Sequence, residues 1–220
     1  MKKIVLFFIA LSVFTTLSFA QTAPPFWNDI VAFRKQASIR PVPANPVLFV
    51  GSSSFTKWQD VNSYFPGYPI INRGFGGSTL PDIIRYAYDI ILPYHPKQVL
   101  IYCGENDLAS SETVTAAEVV KRFKTLYGIL RLNLPDAVIG FVSIKPSPSR
   151  KFMINRVIEA NKGIKAFLKK EKKAAFIDIF PQMLDAQGNA REELFLEDRL
   201  HMKPEGYAIW ARAIKPCLLK

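Results

Sequence analysis

The chain has 220 residues, 49% of them hydrophobic, 13% aromatic and 21% charged, with a formal net charge of +11. That apolar content excludes an intrinsically disordered chain, and 11 Gly and 16 Pro without a period exclude a collagen-like or low-complexity one. Two cysteines are too few for a disulfide scaffold or a four-thiolate zinc site.

The N-terminus carries Lys2 and Lys3, then a nearly continuous apolar run from Ile4 to Phe14, then Ser18-Phe19-Ala20. A positive start, a short apolar segment and small residues at the −3 and −1 positions read as a secretory signal peptide cut after Ala20. An uncleaved membrane anchor is the alternative, disfavoured by the shortness of the run. The expectation is an exported protein, periplasmic or extracellular, with residues 1–20 removed, 21–220 forming one domain, and no stable membrane insertion afterwards.

A short helix is expected over Asn28–Ala37, before the Pro-rich link Arg40–Pro46. Five β-branched or aromatic runs then follow: Val47–Val50, Ile70–Asn72, Val99–Cys103, Ala137–Ile144 and Ala174–Phe180. None alternates clearly, as expected for parallel strands covered on both faces. Helical patterns lie between and after them: Leu80–Leu92 with Pro81 in its first turn, Ser111–Leu132, Phe152–Lys170 and Pro204–Leu218. Alternation of strand and helix predicts an α/β layer architecture with a mostly parallel sheet.

The positive charge is dispersed. Its densest run, Lys169-Lys170-Glu171-Lys172-Lys173, closes a helical pattern, where cations complement the helix dipole. Without interleaved aromatic residues it reads as a solvated helix end, not a nucleic-acid surface. Cys103 and Cys217 could form a bridge in an oxidising compartment, but two unpaired thiols are expected.

In parallel α/β sheets ligands bind beyond the carboxyl ends of the strands. Those ends carry Gly51-Ser52-Ser53-Ser54, Asn72-Arg73-Gly74-Phe75-Gly76-Gly77-Ser78-Thr79 and Cys103-Gly104-Glu105-Asn106-Asp107, and Asp198-Arg199-Leu200-His201 stands late in the chain. Each group alone could be turn or cap chemistry. Ser53 could cap the following helix, Ser52 and Ser54 are rival nucleophiles by composition, and Asn106 or Asp107 could be capping residues. His95, in Pro93-Tyr94-His95-Pro96, is expected in an exposed connection without a role.

Taken in order, the four groups resemble the blocks of the SGNH hydrolases, also called GDSL esterases/lipases. The resemblance runs from Gly51 to His201 and places the nucleophile at Ser53, the block glycine at Gly77, the block asparagine at Asn106 and the Asp-x-x-His pair at Asp198 and His201. It departs at Ser52, where the family has Asp, which bears on how the loop is anchored. The α/β-hydrolase elbow Gly-x-Ser-x-Gly is absent, because Phe55 occupies its last position.

The implied fold is a flavodoxin-like three-layer sandwich around a five-stranded parallel sheet. The implied chemistry is ester hydrolysis through an acyl-enzyme, with no metal or cofactor. His201 would act as base and acid for Ser53, Asp198 would set the imidazole tautomer, and the N–H groups of Ser53 and Gly77 with the Asn106 amide would bind the oxyanion. A small O-acyl group, above all O-acetyl on a carbohydrate, is the favoured substrate. A lysophospholipase or thioesterase, or a non-catalytic glycan-binding protein on the same fold, are the alternatives. Trp58, Tyr64, Phe65 and Phe75 could stack on sugar rings near the mouth, although core packing is the better expectation for them.

Overall fold

The computed structural model describes residues 23–220; the proposed signal peptide lies outside them. Strands β1 (Val47–Gly51), β2 (Ile70–Gly74), β3 (Gln98–Tyr102), β4 (Val138–Val142) and β5 (Ala174–Ile177) form one sheet, all parallel, in the order β2-β1-β3-β4-β5. β1 and β3 are buried along their whole length, so neither shows alternation in its sequence. Their side chains nevertheless alternate between two cores. Leu48, Val50, Val99 and Ile101 face one, Val47, Phe49, Leu100 and Tyr102 the other.

The first core is covered by α1 (Trp27–Ile39), α4 (Leu80–Ile90), α5 (Glu105–Ser110), α6 (Ala116–Asn133) and α7 (Ile154–Leu168). The second lies under α2 (Ser53–Thr56), α3 (Val61–Tyr64) and α8 (Pro204–Ile214). Sheet and two helical faces make the three-layer α/β arrangement that strand–helix alternation implied. Cys103 packs in the first core and Cys217 against the second, so the sheet separates them and both thiols are free. Lys169, Lys170, Lys172 and Lys173 are exposed beyond the end of α7, and His95 is exposed after a 3-10 turn over Leu92–Tyr94.

Element ends shift where side chains capture the backbone. β4 stops at Val142 because the Asn161 amide takes both polar groups of Ile144, accepting from its N–H at 2.8 Å and donating to its carbonyl at 2.9 Å. β5 stops at Ile177 because the N–H groups of Ile179 and Phe180 turn to the Ser143 hydroxyl. The helix expected from Ser111 begins at Ala116, where the Thr115 hydroxyl accepts from Glu118 N–H at 3.1 Å.

The strand order reverses between β1 and β3, which opens a crevice at their carboxyl ends. The turn leaving β1 is crowded there. A Cβ on Gly51, which sits at φ +152°, would stand 1.9 Å from the Tyr102 carbonyl oxygen. Gly51→Ala should therefore cost about 3 kcal/mol or more of stability, because backbone rather than a flexible side chain must move. Gly128→Ala, in open space on α6, should gain about 0.5–1 kcal/mol. Urea midpoints at unchanged slope check both. A Gly51→Ala midpoint equal to wild type would mean the turn relaxes freely.

Candidate active site

β1 ends at Gly51, and the chain turns at once into α2 with Ser53 as its first residue. Several hydrogen bonds anchor this turn where the block aspartate is missing. Ser52 N–H donates to Tyr102 O at 3.0 Å and Phe75 N–H to Gly51 O at 2.9 Å. The Ser78 hydroxyl donates to Gly51 O at 3.2 Å, and the Tyr207 hydroxyl to Ser54 O at 2.9 Å. Ser52 and Ser54 are buried, whereas Ser53 is half-buried and caps nothing. Its Oγ lies 3.0 Å from His201 Nε2.

The other ring nitrogen, His201 Nδ1, lies 2.5 Å from Asp198 Oδ2. The second carboxylate oxygen, Asp198 Oδ1, accepts from the N–H groups of Leu200 at 3.0 Å and His201 at 2.9 Å. Burial pushes the Asp198 pKa up, but the imidazole and these two N–H donors outweigh it and hold it at about 2. An ionised carboxylate only accepts, so Nδ1 carries the ring proton and Nε2 faces Ser53 with its lone pair. The Asp-x-x-His spacing works because Arg199, between them, takes a left-handed φ of +55° that folds the segment back on itself.

Opposite stands the glycine loop. A Cβ on Gly76 would lie 3.9 Å from the Ser53 Cβ, and Gly77 has φ +84°. Among the described residues neither Ser53 N–H nor Gly77 N–H has a hydrogen-bond partner. Asn106, in the first turn of α5, donates through Nδ2 to Ser78 O at 3.0 Å and keeps a second amide proton. Asp107 belongs to the scaffold: it accepts from Leu80 N–H at 3.0 Å and from Arg122 at 2.9 Å, tying α4 and α6 to α5.

The structure thus unites Ser53, His201 and Asp198 in one hydrogen-bonded line and sets Gly77 and Asn106 on the loops beside them. It does not bear out sugar stacking by Trp58, Phe65 or Phe75. All three are fully buried, with Trp58 stacked on Tyr207 at 4.9 Å between ring centres, and only Tyr64 is partly exposed.

Sequence reasoning passed over a buried polar cluster behind Asn106. Glu105 accepts from Lys145 and Ser147, and from the Tyr102 hydroxyl at 2.7 Å; Arg150 Nη1 lies 3.6 Å from it. Burial alone would raise the Glu105 pKa, but Lys145 and Arg150 hold it below the usual carboxylate range, so it is charged at neutral pH. Lys145, Ser147 and Arg150 follow β4, and the rule that ligands gather at strand ends pointed there as well.

A serine hydrogen-bonded to a histidine–aspartate pair, beside unpaired N–H groups at the switch point of a parallel sheet, is the layout expected of a serine hydrolase on a three-layer α/β fold. The chain belongs to the GDSL-like Lipase/Acylhydrolase family, whose model matches residues 48–209. It is an ester-hydrolysing enzyme of that family. No curated protein is recognisably similar to it in sequence.

Among solved structures it is similar to a protein assigned as an acylhydrolase from Bacteroides fragilis, at TM-score 0.75 and 20% identity, covering 87% of this chain and 96% of that one. A GDSL-like lipase from Bacteroides thetaiotaomicron superposes at TM-score 0.70 and 18% identity, covering 86% and 96%. The acetylxylan esterase Axe2 from Geobacillus stearothermophilus does so at TM-score 0.64 and 15% identity, covering 80% and 95%. At these identities the likeness shows the shared fold.

Asp198→Asn should lower kcat about 10³–10⁴-fold, because an amide can stabilise the wrong imidazole tautomer. The same variant tests the carboxylate's pKa. Since Asp198 ionises near 2 when folded against 3.8 ordinarily, its ionisation stabilises the fold fully above about pH 4 and loses that effect as pH falls towards 2. The stability gap between wild type and Asp198→Asn, read from urea midpoints, should shrink over that window. A constant gap would mean that the carboxylate's charge adds nothing to the fold.

Proposed function

We propose that the protein is an exported serine esterase that removes a small O-acyl group, principally O-acetyl, from a carbohydrate through an acyl-enzyme. The observation that carries this reading is the unbroken Ser53–His201–Asp198 line, with the Gly76–Gly77 loop in van der Waals reach of Ser53 and the N–H groups of Ser53 and Gly77 unpaired among the described residues.

His201 Nε2 takes the Ser53 proton as Oγ attacks the ester carbonyl carbon. The carbonyl electron pair moves onto oxygen, and the resulting oxyanion is held by the two N–H groups and by the free amide proton of Asn106. Collapse of the intermediate breaks the bond to the alcohol, which leaves with the proton from His201. Water then attacks the acyl-enzyme through the same base and releases the acid. Ionised Asp198 stabilises the transient imidazolium throughout.

One likeness supports a hydroxylated substrate. The structurally similar Axe2 is an esterase of acetylxylan. The charged, apolar and small-residue layout of residues 1–20 supports export with cleavage after Ala20, leaving a single domain from Gln21. Among the described residues no helix is long and apolar enough to cross a membrane.

A release assay tests the reading. Acetate should appear from acetylated xylo-oligosaccharides, hydrolysis of p-nitrophenyl esters should slow as the acyl chain lengthens, and lysophosphatidylcholine should stay intact. Ser53→Ala should abolish release and labelling by a fluorophosphonate probe. Faster release of fatty acid than of acetate would replace the substrate assignment with lysophospholipase. Undiminished labelling of Ser53→Ala would remove Ser53 as nucleophile, and no turnover of any ester with no labelling of wild type would turn the reading to glycan binding.

A further inference from the structure

We infer that Arg150 is a positioning residue of the esterase reaction: it fixes the orientation of the Asn106 amide and polarises it, so that one Asn106 N–H is presented to the oxyanion. The inference rests on the reading of Asn106 as an oxyanion donor.

A side-chain amide has two orientations, and the wrong one would turn its carbonyl oxygen towards the developing negative charge. In this structure Arg150 Nη2 donates to Asn106 Oδ1 at 2.9 Å, while Asn106 Nδ2 donates to Ser78 O at 3.0 Å. A flipped amide would set NH₂ against guanidinium and oxygen against a carbonyl, two repulsive contacts in place of two hydrogen bonds. The charged donor also draws electron density through Oδ1, which strengthens Nδ2–H as a donor.

Arg150 is itself held. Its side chain is 18% exposed, with Nη1 3.6 Å from Glu105, and Glu105 is braced by Lys145, Ser147 and Tyr102. Lys145 and Arg150 both lie against the Glu105 carboxylate, which anchors the Arg150 guanidinium behind Asn106. The turn bearing Arg150 also reaches the acid–base loop. Arg150 N–H donates to Ser147 O at 2.9 Å and Ser149 N–H to Arg199 O at 3.0 Å, next to Asp198. One short segment after β4 thus braces both sides of the site, and Arg150 is the member that touches the oxyanion side chain.

The test is a double-substitution cycle on p-nitrophenyl acetate with kcat and KM measured separately. Asn106→Ala should lower kcat about 10²–10³-fold. Arg150→Met should lower kcat roughly tenfold or more with KM within about twofold, because the interaction matters once the oxyanion exists. Arg150→Lys, which keeps a charged donor, should recover part of the loss. Arg150→Met added to Asn106→Ala should have little further effect, since its action passes through that amide.

If Asn106→Ala is impaired while Arg150→Met keeps wild-type kcat, or if the two losses simply multiply, the inference is overturned and the oxyanion reading survives. If Asn106→Ala itself keeps wild-type kcat, the oxyanion reading falls and this inference with it. Should Arg150→Met lose cooperative unfolding, Arg150→Gln, which retains a neutral amide donor, replaces it in the same cycle under the same criteria.

Discussion

The hydrogen bond from Ser53 Oγ to His201 Nε2 joins residues 148 positions apart, and most of the architecture can be understood as what makes that contact possible. Parallel strands deliver every carboxyl end to one edge, and the reversal of strand order between β1 and β3 opens a crevice there. Ser53 enters from β1, Gly76 and Gly77 from β2, and Asn106 from β3. His201 arrives from the loop before α8, a helix packed on the same core as α2. Buried Tyr207, Ile209, Trp210 and Ile214 seat α8 on that core, and hydrophobic packing thereby fixes the helix that the His201 loop leads into.

Close approach of backbone carries the second requirement. The β1 turn passes so near Tyr102 that any Cβ at Gly51 collides, and Gly76 sits against Ser53 with just van der Waals room. Small residues keep the backbone N–H groups of this loop open to an approaching group, as the proposed oxyanion site requires. The hydrogen bonds of Ser52, Phe75 and Ser78 hold this turn through backbone and hydroxyl groups.

Charge is distributed unevenly around the site. Asp198 remains ionised through hydrogen bonds from the His201 ring and from the N–H groups of Leu200 and His201. On the opposite side, Glu105 is buried as a charged group held by Lys145, Arg150 and the hydroxyls of Ser147 and Tyr102. Such a buried ion cluster is weak evidence for stability, since its desolvation is costly. Its contact with Asn106 through Arg150 is what the proposed positioning role draws on.

The five strands and the four motif blocks were legible in the amino-acid sequence, because burial on both faces writes uninterrupted apolar runs and because Ser, Gly, Asn and Asp-x-x-His stand at fixed places relative to them. Which side chain meets which was not legible. Trp58, Phe65 and Phe75 follow strand ends, yet they turn into the two cores, since sequence proximity to an edge does not say which way a ring points. Glu105, Lys145 and Arg150 read as ordinary charges, 40 or more positions separating the first from the others, and acquire meaning from partners that folding brings within reach. Local periodicity thus determined the elements and the family resemblance picked out the candidate reactive groups, whereas hydrogen-bond partnership depends on distances of a few ångströms across the chain, which only the packed sheet and helices decided.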